Sequence, residues 1–295
     1  MLKCILWGTG IQFEKTLIQI RYFEQRGRFE VIGITSGDSF YSKTGGYRFI
    51  KKEQLGDIQA DFFIVFADGA VLLEIQNEIC EMGYADHQVI PYSVIGLTGF
   101  EVDKYMSIKR DIPSIISLNC WGGITYHSLA LPFASPFINM FLEPDDFLTL
   151  LRDLKTYLAM DIKESGFTED PNSQKVYPVG DCGGVKLHFN HSNSFEEAKA
   201  DWDKRRKRVN WDNLFIMAYT EDAEFAKCFS ELPYEKKICF ISMNIKGNGL
   251  EYVDIATDET DTKLWQHVNR IASRRYQYYD VFELLLSGEV VHIYE

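Results

Sequence analysis

Across the first hundred residues, short apolar runs alternate with amphipathic segments, and glycines mark the joins. Residues 3–7 form an apolar run closed by Gly8-Thr9-Gly10. Residues 11–26 follow, with Phe13, Leu17 and Ile20 at helical spacing. Residues 29–35 are a second apolar run, closed by Ser36-Gly37-Asp38. Residues 61–67 are a third, residues 70–82 a second helical pattern closed by Gly83, and residues 88–92 a fourth strand. Strands this short and this apolar need cover on both faces, and the intervening helices supply it by crossing between parallel strands. The expected fold class is therefore α/β, with a Rossmann-like parallel-sheet domain first.

The texture changes after Gly99, and Lys109-Arg110-Asp111-Ile112-Pro113 marks the expected boundary. The domains read as 1–110, Rossmann-like, and 111–295, a second α/β domain that carries the motifs described below. Pro144-Asp145-Asp146 is a helix start, with acids at the positive end of the helix dipole. Phe147, Leu151, Leu154 and Leu158 give that helix its buried stripe. Residues 185–190 read as a strand after the turn Cys182-Gly183-Gly184, and residues 195–209 as a charged helix. Residues 214–219 and 238–244 read as strands with a helix between them.

The charge balance removes some functions. Lys+Arg 31 against Asp+Glu 43 gives a net charge of −12. A surface of that sign repels phosphate, so no nucleic-acid or anionic-membrane partner is expected; a small-molecule or glycan substrate is. The 6 cysteines contain no CxxC pair. That argues against a zinc ribbon and a thioredoxin-type centre, and no metal site is expected. No apolar stretch is long enough for a transmembrane segment, and the first run is too short for a signal peptide, so the expected location is cytoplasmic.

Three sites carry candidate chemistry. At Gly8-Thr9-Gly10 a strand ends and a helix opens, where unpaired N–H groups can take a phosphate. Gly8 and Gly10 are the candidate cofactor-binding glycines, and Asp38 stands where a ribose-binding acid would. A nucleotide or sugar nucleotide is the matching ligand. Phe13 replaces the third glycine of the full fingerprint, and the plain alternative is a tight turn belonging to the fold.

In residues 115–123 an apolar run stops at Asn119-Cys120 before Trp121-Gly122-Gly123. That places a thiol at a strand end or helix start, where a nucleophilic cysteine is activated by a helix N-terminus and a base. His191 downstream is the candidate base, with His127 a second one, and Asp212 would orient the imidazole. The order Cys, His, Asp resembles that of papain-like enzymes. The alternative is a buried cysteine beside a core histidine. His188 and His191 lie three apart, so on a strand they face opposite ways and would not share a metal.

The third site is the run Lys204-Arg205-Arg206-Lys207-Arg208, in a helix that Ser194 and Glu197 would cap. Arg205 and Arg208 are the candidate substrate-phosphate ligands, because a guanidinium grips phosphate in bidentate fashion. The alternative is a solvated helix face laced with ion pairs.

Three blocks link these sites. They are Ile116-Ser117-Leu118-Asn119-Cys120-Trp121-Gly122-Gly123; Ser135-Pro136-Phe137-Ile138-Asn139-Met140-Phe141; and Phe189-Asn190-His191 with Trp202, Arg205, Arg208-Val209-Asn210 and Asn213. In order and spacing they resemble a bacterial family labelled exopolysaccharide biosynthesis proteins. The resemblance covers residues 111–245 and implies a role in making surface polysaccharide. It carries no catalytic assignment. Three readings follow. The first is a transferase using an activated sugar or other anionic donor. The second is a thiol-dependent acyl transferase or hydrolase. The third is a non-catalytic binding or regulatory protein.

Overall fold

A computed structural model describes residues 1–37, 44–170, 173–245, 254–257, 263–273 and 278–293. The chain divides into two compact units, Met1–Asp111 and Ile112–Glu295.

In unit 1 the elements run β1 (Leu2–Trp7), α1 (Ile11–Gln25), β2 (Phe29–Thr35), β3 (Phe62–Val65), α2 (Gly69–Glu81), β4 (Val89–Pro91) and α3 (Val102–Arg110). The strands form one parallel sheet in the order β2-β1-β3-β4. This is the Rossmann-like α/β domain that the glycine-closed apolar runs imply. Ile5, Trp7, Phe63, Val65 and Val89 fill its core together with Ile79 from α2. Lys109 of α3 is buried and donates to the carbonyls of Asp86 at 2.8 Å and Val89 at 3.0 Å, which ties the end of the unit to β4.

Unit 2 opens with β5 (Ser114–Ser117), α4 (Trp121–Ser128), α5 (Pro144–Arg152) and α6 (Leu154–Ala159). Next come β6 (Lys163–Glu169), β7 (Val176–Cys182), β8 (Val185–His188) and α7 (Phe195–Arg206). The unit finishes with β9 (Leu214–Thr220), α8 (Ala223–Ser230), β10 (Lys237–Ser242), β11 (Asp254–Thr257), α9 (Leu264–Ile271) and α10 (Val281–Ser287). Four of these strands make a second parallel sheet, β11-β10-β9-β5. β6, β7 and β8 make a separate antiparallel sheet, inserted in the sequence between β5 and β9.

Strand alternation sends side chains to both faces of the second parallel sheet. Ile116, Ile216, Ala218, Cys239 and Ile241 join one core with Phe147, Leu151 and Trp202 from the helices and Leu187 from β8. On the opposite face Trp121 of α4 stacks on Phe215, with ring centroids 5.8 Å apart, and lies 6.0 Å from Phe240. The expected single helix after Pro144 is two. The chain turns at Asp153, whose carboxylate accepts from the Thr156 N–H at 3.4 Å and caps α6.

Candidate functional site

Cys120 lies just past the end of β5, at the N-cap of α4. The turn is tight because α4 packs directly on β5. A Cβ on Gly122 would come within 2.7 Å of Ser117 Oγ and 2.9 Å of Ile115 Cγ2, so only glycine fits the first helical turn. The side chains beside it use up the helix's leading donors. The Trp121 N–H donates to Asn119 Oδ1 at 3.0 Å, and the Gly122 N–H to Ser117 Oγ at 3.3 Å.

His191 arrives from the antiparallel sheet. β8 ends at His188, and residues 189–192 turn back, with the Ser192 N–H donating to the Phe189 carbonyl at 3.0 Å. A short strap joins the two sheets here. Leu142 N–H donates to the Leu118 carbonyl at 3.0 Å, while Phe141 and His188 exchange backbone bonds at 3.1 and 3.0 Å. The Phe141 ring stacks on His188 at 4.6 Å, which occupies that imidazole. The strap thus fixes the end of β8 beside the end of β5. His191 Nε2 ends 3.6 Å from Cys120 Sγ, a contact across 71 positions of sequence.

Both partners rest neutral. Burial pushes the Cys120 thiol up to about 11. Burial also lowers the His191 pKa, and the nearby Lys175 ammonium lowers it further. Lys175 donates to the Asn190 carbonyl at 3.2 Å. A helix N-terminus alone would favour a thiolate, but here desolvation outweighs it. The pair is a thiol beside a base, not a preformed ion pair. Tyr219 near the end of β9 borders the same region; burial raises its hydroxyl to about 12, and the charge of Glu143 adds to the rise.

The other sequence candidates fall elsewhere. Asp212 is exposed and precedes β9 at the edge where Leu214 pairs with Ser114, the start of β5. Cys120 lies beyond the other end of β5, about 10 Å or more along the strand direction. Asp212 is therefore not the third member of the constellation. His127 sits in the last turn of α4, roughly 10 Å along the helix from Cys120, and is exposed. No described carboxylate takes Asp212's place on His191; the charge that His191 feels is Lys175.

The two arginines do not face the thiol as a free pair. Arg205 binds Asp201 at 2.6 Å and the Ile138 carbonyl at 3.5 Å, with its guanidinium over the Phe133 ring. Burial lowers its pKa and Asp201 opposes that. Arg208 reaches the Phe133 carbonyl at 3.5 Å. The next residue, Ala134, accepts from Ser114 Oγ at 2.5 Å, so Arg208 belongs to the Ser114 end of the sheet. Both arginines bind the segment between α4 and α5. Ser194 Oγ caps α7 by accepting from the Glu197 N–H at 3.2 Å, as its sequence pattern suggested.

In unit 1, Gly8 adopts φ +118° and a Cβ there would lie 3.1 Å from Phe66 Cβ. The turn itself requires that glycine. Gly10 has an ordinary φ of −80°, and a Cβ there would meet nothing within 4 Å. Phe13 is buried and packs edge-on against Phe66, with centroids 5.4 Å apart. Asp38 lies outside the described residues. Among the described residues no group of three or more His, Cys, Asp or Glu side chains comes together to hold a metal, and no helix is long and apolar enough to cross a membrane.

Sequence reasoning missed Lys175, Glu143 and Tyr219. Lys175 closes the turn of the β6–β7 hairpin, and no local pattern marks it as adjacent to His191. Asn119 was visible as part of the motif but carried no role.

Two family models match the chain in succession. A family model described as C2185-like, N-terminal, matches residues 1–90. A protein of Haemophilus influenzae described as an uncharacterized protein is 38% identical over 130 residues, which is 43% of this chain and 60% of that relative. The chain thus spans 60% of the length of the curated relative it matches. The remaining match covers the Cys120 site itself, over residues 94–286 and well more than half of the chain: the protein belongs to the family of the domain of unknown function DUF1919.

Proposed function

We propose that the protein is a thiol-dependent acyl transferase or hydrolase, with Cys120 as nucleophile and His191 as base, acting on an acylated intermediate of surface-polysaccharide assembly. The observation that carries this reading is the 3.6 Å contact between Cys120 Sγ and His191 Nε2. The polysaccharide setting rests on the resemblance of the three sequence blocks. As Sγ attacks an acyl carbonyl, the S–H proton passes to Nε2 and an S–C bond forms. The tetrahedral adduct then expels its leaving group, which takes the proton back from His191. A glycan hydroxyl or water then bonds to the thioester carbon while its proton passes to Nε2, and the C–S bond breaks as His191 returns that proton to Sγ. The ion pair of Arg205 with Asp201 favours this over a sugar transferase that would hold its donor phosphate on that arginine.

The test is acylation by p-nitrophenyl acetate, followed by mass spectrometry of the Cys120 peptide. The wild type should carry one acetyl group there, and C120A none. H191Q should acylate slower by about 10²- to 10⁴-fold. An unmodified wild-type Cys120 would overturn the reading.

A second reading concerns unit 1. Gly10 is not required by packing or by φ, which favours a ligand approaching its backbone. We infer that the Gly8–Gly10 turn takes the phosphate of a nucleotide or sugar nucleotide. A melting-temperature rise with millimolar UDP-sugar, lost in G10V, is expected.

A further inference from the structure

We propose that Asn119 is the oxyanion-stabilising residue of the Cys120 site, which rests on the nucleophilic reading above. Acyl transfer through a tetrahedral intermediate needs a donor aimed at the developing oxyanion. The usual source beside a nucleophile at a helix start is the backbone N–H groups that follow it. Here two of them are taken: Trp121 N–H by Asn119 Oδ1 at 3.0 Å, and Gly122 N–H by Ser117 Oγ at 3.3 Å. The residue that takes the first one carries a donor of its own. The Trp121 bond fixes which end of the carboxamide is oxygen, so the other end is Nδ2.

Asn119 is only 5% exposed, and its Nδ2 has no hydrogen-bond partner. A buried amide left unpaired costs its full desolvation with no bond in return, so such a group calls for a reason. It directly precedes the nucleophile in sequence, about 3.8 Å away Cα to Cα. It is also polarised, because the Trp121 N–H pulls electron density toward Oδ1 and sharpens Nδ2–H as a donor. The carboxamide therefore couples the helix-start N–H to a donor that is left unpaired. As Sγ bonds to the carbonyl carbon, the C=O pair moves to oxygen, and Nδ2–H meets the charge.

The second half of the dyad shows the same feature. Asn190 directly precedes His191, and its Oδ1 is buried with no partner. It is an acceptor where Asn119 is a donor. It suits the N–H or O–H of the group that attacks or leaves.

The experiment compares two reactions at Cys120 in the full-length chain. Acylation by p-nitrophenyl acetate builds an oxyanion; alkylation by iodoacetamide displaces iodide and builds none. The variant N119S keeps an acceptor for the Trp121 N–H and removes the amide donor; N119A removes both. N119S should acylate slower by roughly 10²- to 10³-fold, with alkylation of Cys120 unchanged. If acylation and alkylation fall together in N119S, Asn119 only shapes the helix start and the proposal is overturned. If acylation is unchanged in both variants, it is overturned as well. A wild type that alkylates at Cys120 and never acylates would instead overturn the nucleophilic reading itself.

Discussion

At the scale of single residues, the resting protonation of Cys120 and His191 sets the pH behaviour. A thiol pushed up to about 11 holds almost no thiolate at neutral pH. Direct alkylation of Cys120, which needs the thiolate, should therefore rise about tenfold per pH unit and level off only near 11. Peptide mass spectrometry distinguishes this from Cys80 and Cys228, which are partly exposed. Acylation should behave differently, because it uses the neutral imidazole. The His191 pKa is lowered, so the base stays competent to a lower pH than an ordinary histidine, and acylation falls away only below the usual imidazole range. The sign on stability follows from the same shifts. A raised thiol stabilises the fold fully below its unfolded pKa, and that contribution is lost as pH rises toward about 11. A thiolate–imidazolium pair would reverse the picture, with an early plateau in alkylation and strong ultraviolet thiolate absorbance at neutral pH.

At the scale of elements, the junction of β5 and α4 is the most constrained part of the site. G122A places a methyl against Ser117 Oγ and Ile115 Cγ2, both buried, so neither has room to move away. It should destabilise the protein by about 1–3 kcal/mol, read as a lower denaturation midpoint, and should slow acylation by shifting the start of α4. The same junction explains what the sequence disclosed. Asn119-Cys120 before a glycine pair marks a strand end meeting a helix, and the chemistry of thiol and imidazole brings Cys120 and His191 to mind as partners. Their meeting depends on the Phe141–Leu142 strap, which pairs with both sheets and has no periodicity of its own. The break at Asp153 was hidden for a related reason. Phe147, Leu151, Leu154 and Leu158 are all buried, so the apolar spacing survives a kink that leaves both helices on one core. The hairpin of β6 and β7 was hidden by composition. Most of Lys163–Glu169 is exposed on both faces, and Pro178 interrupts Val176–Cys182, so neither strand alternates as a half-buried strand does. Asp212 failed as the third member because residue order says nothing about which end of a parallel strand a residue occupies.

At the scale of the whole molecule, each unit closes its own sheet around its own apolar residues. In unit 1, Lys109 anchors α3 to the carbonyls of Asp86 and Val89, so the chain belongs to that unit nearly to its last residue. In unit 2, β5 begins at Ser114, only two residues after the division. Cys120, His191, Asn119, Lys175 and the strap at Phe141–Leu142 all follow it. The pairing of β5 with β9, and of β7 with β6 and β8, uses no strand of unit 1. A fragment of residues 112–295 should therefore fold and retain acylation at Cys120 at the full-length rate, with the same loss in H191Q. Circular dichroism and the p-nitrophenyl acetate reaction check the two halves of that statement separately. In the same fragment, a melting-temperature response to UDP-sugar should be absent, because Gly8 and Gly10 have gone with unit 1. A folded fragment that no longer acylates would overturn the assignment of the site to unit 2 alone; one that still responds to UDP-sugar would remove the phosphate-binding role of the glycine turn.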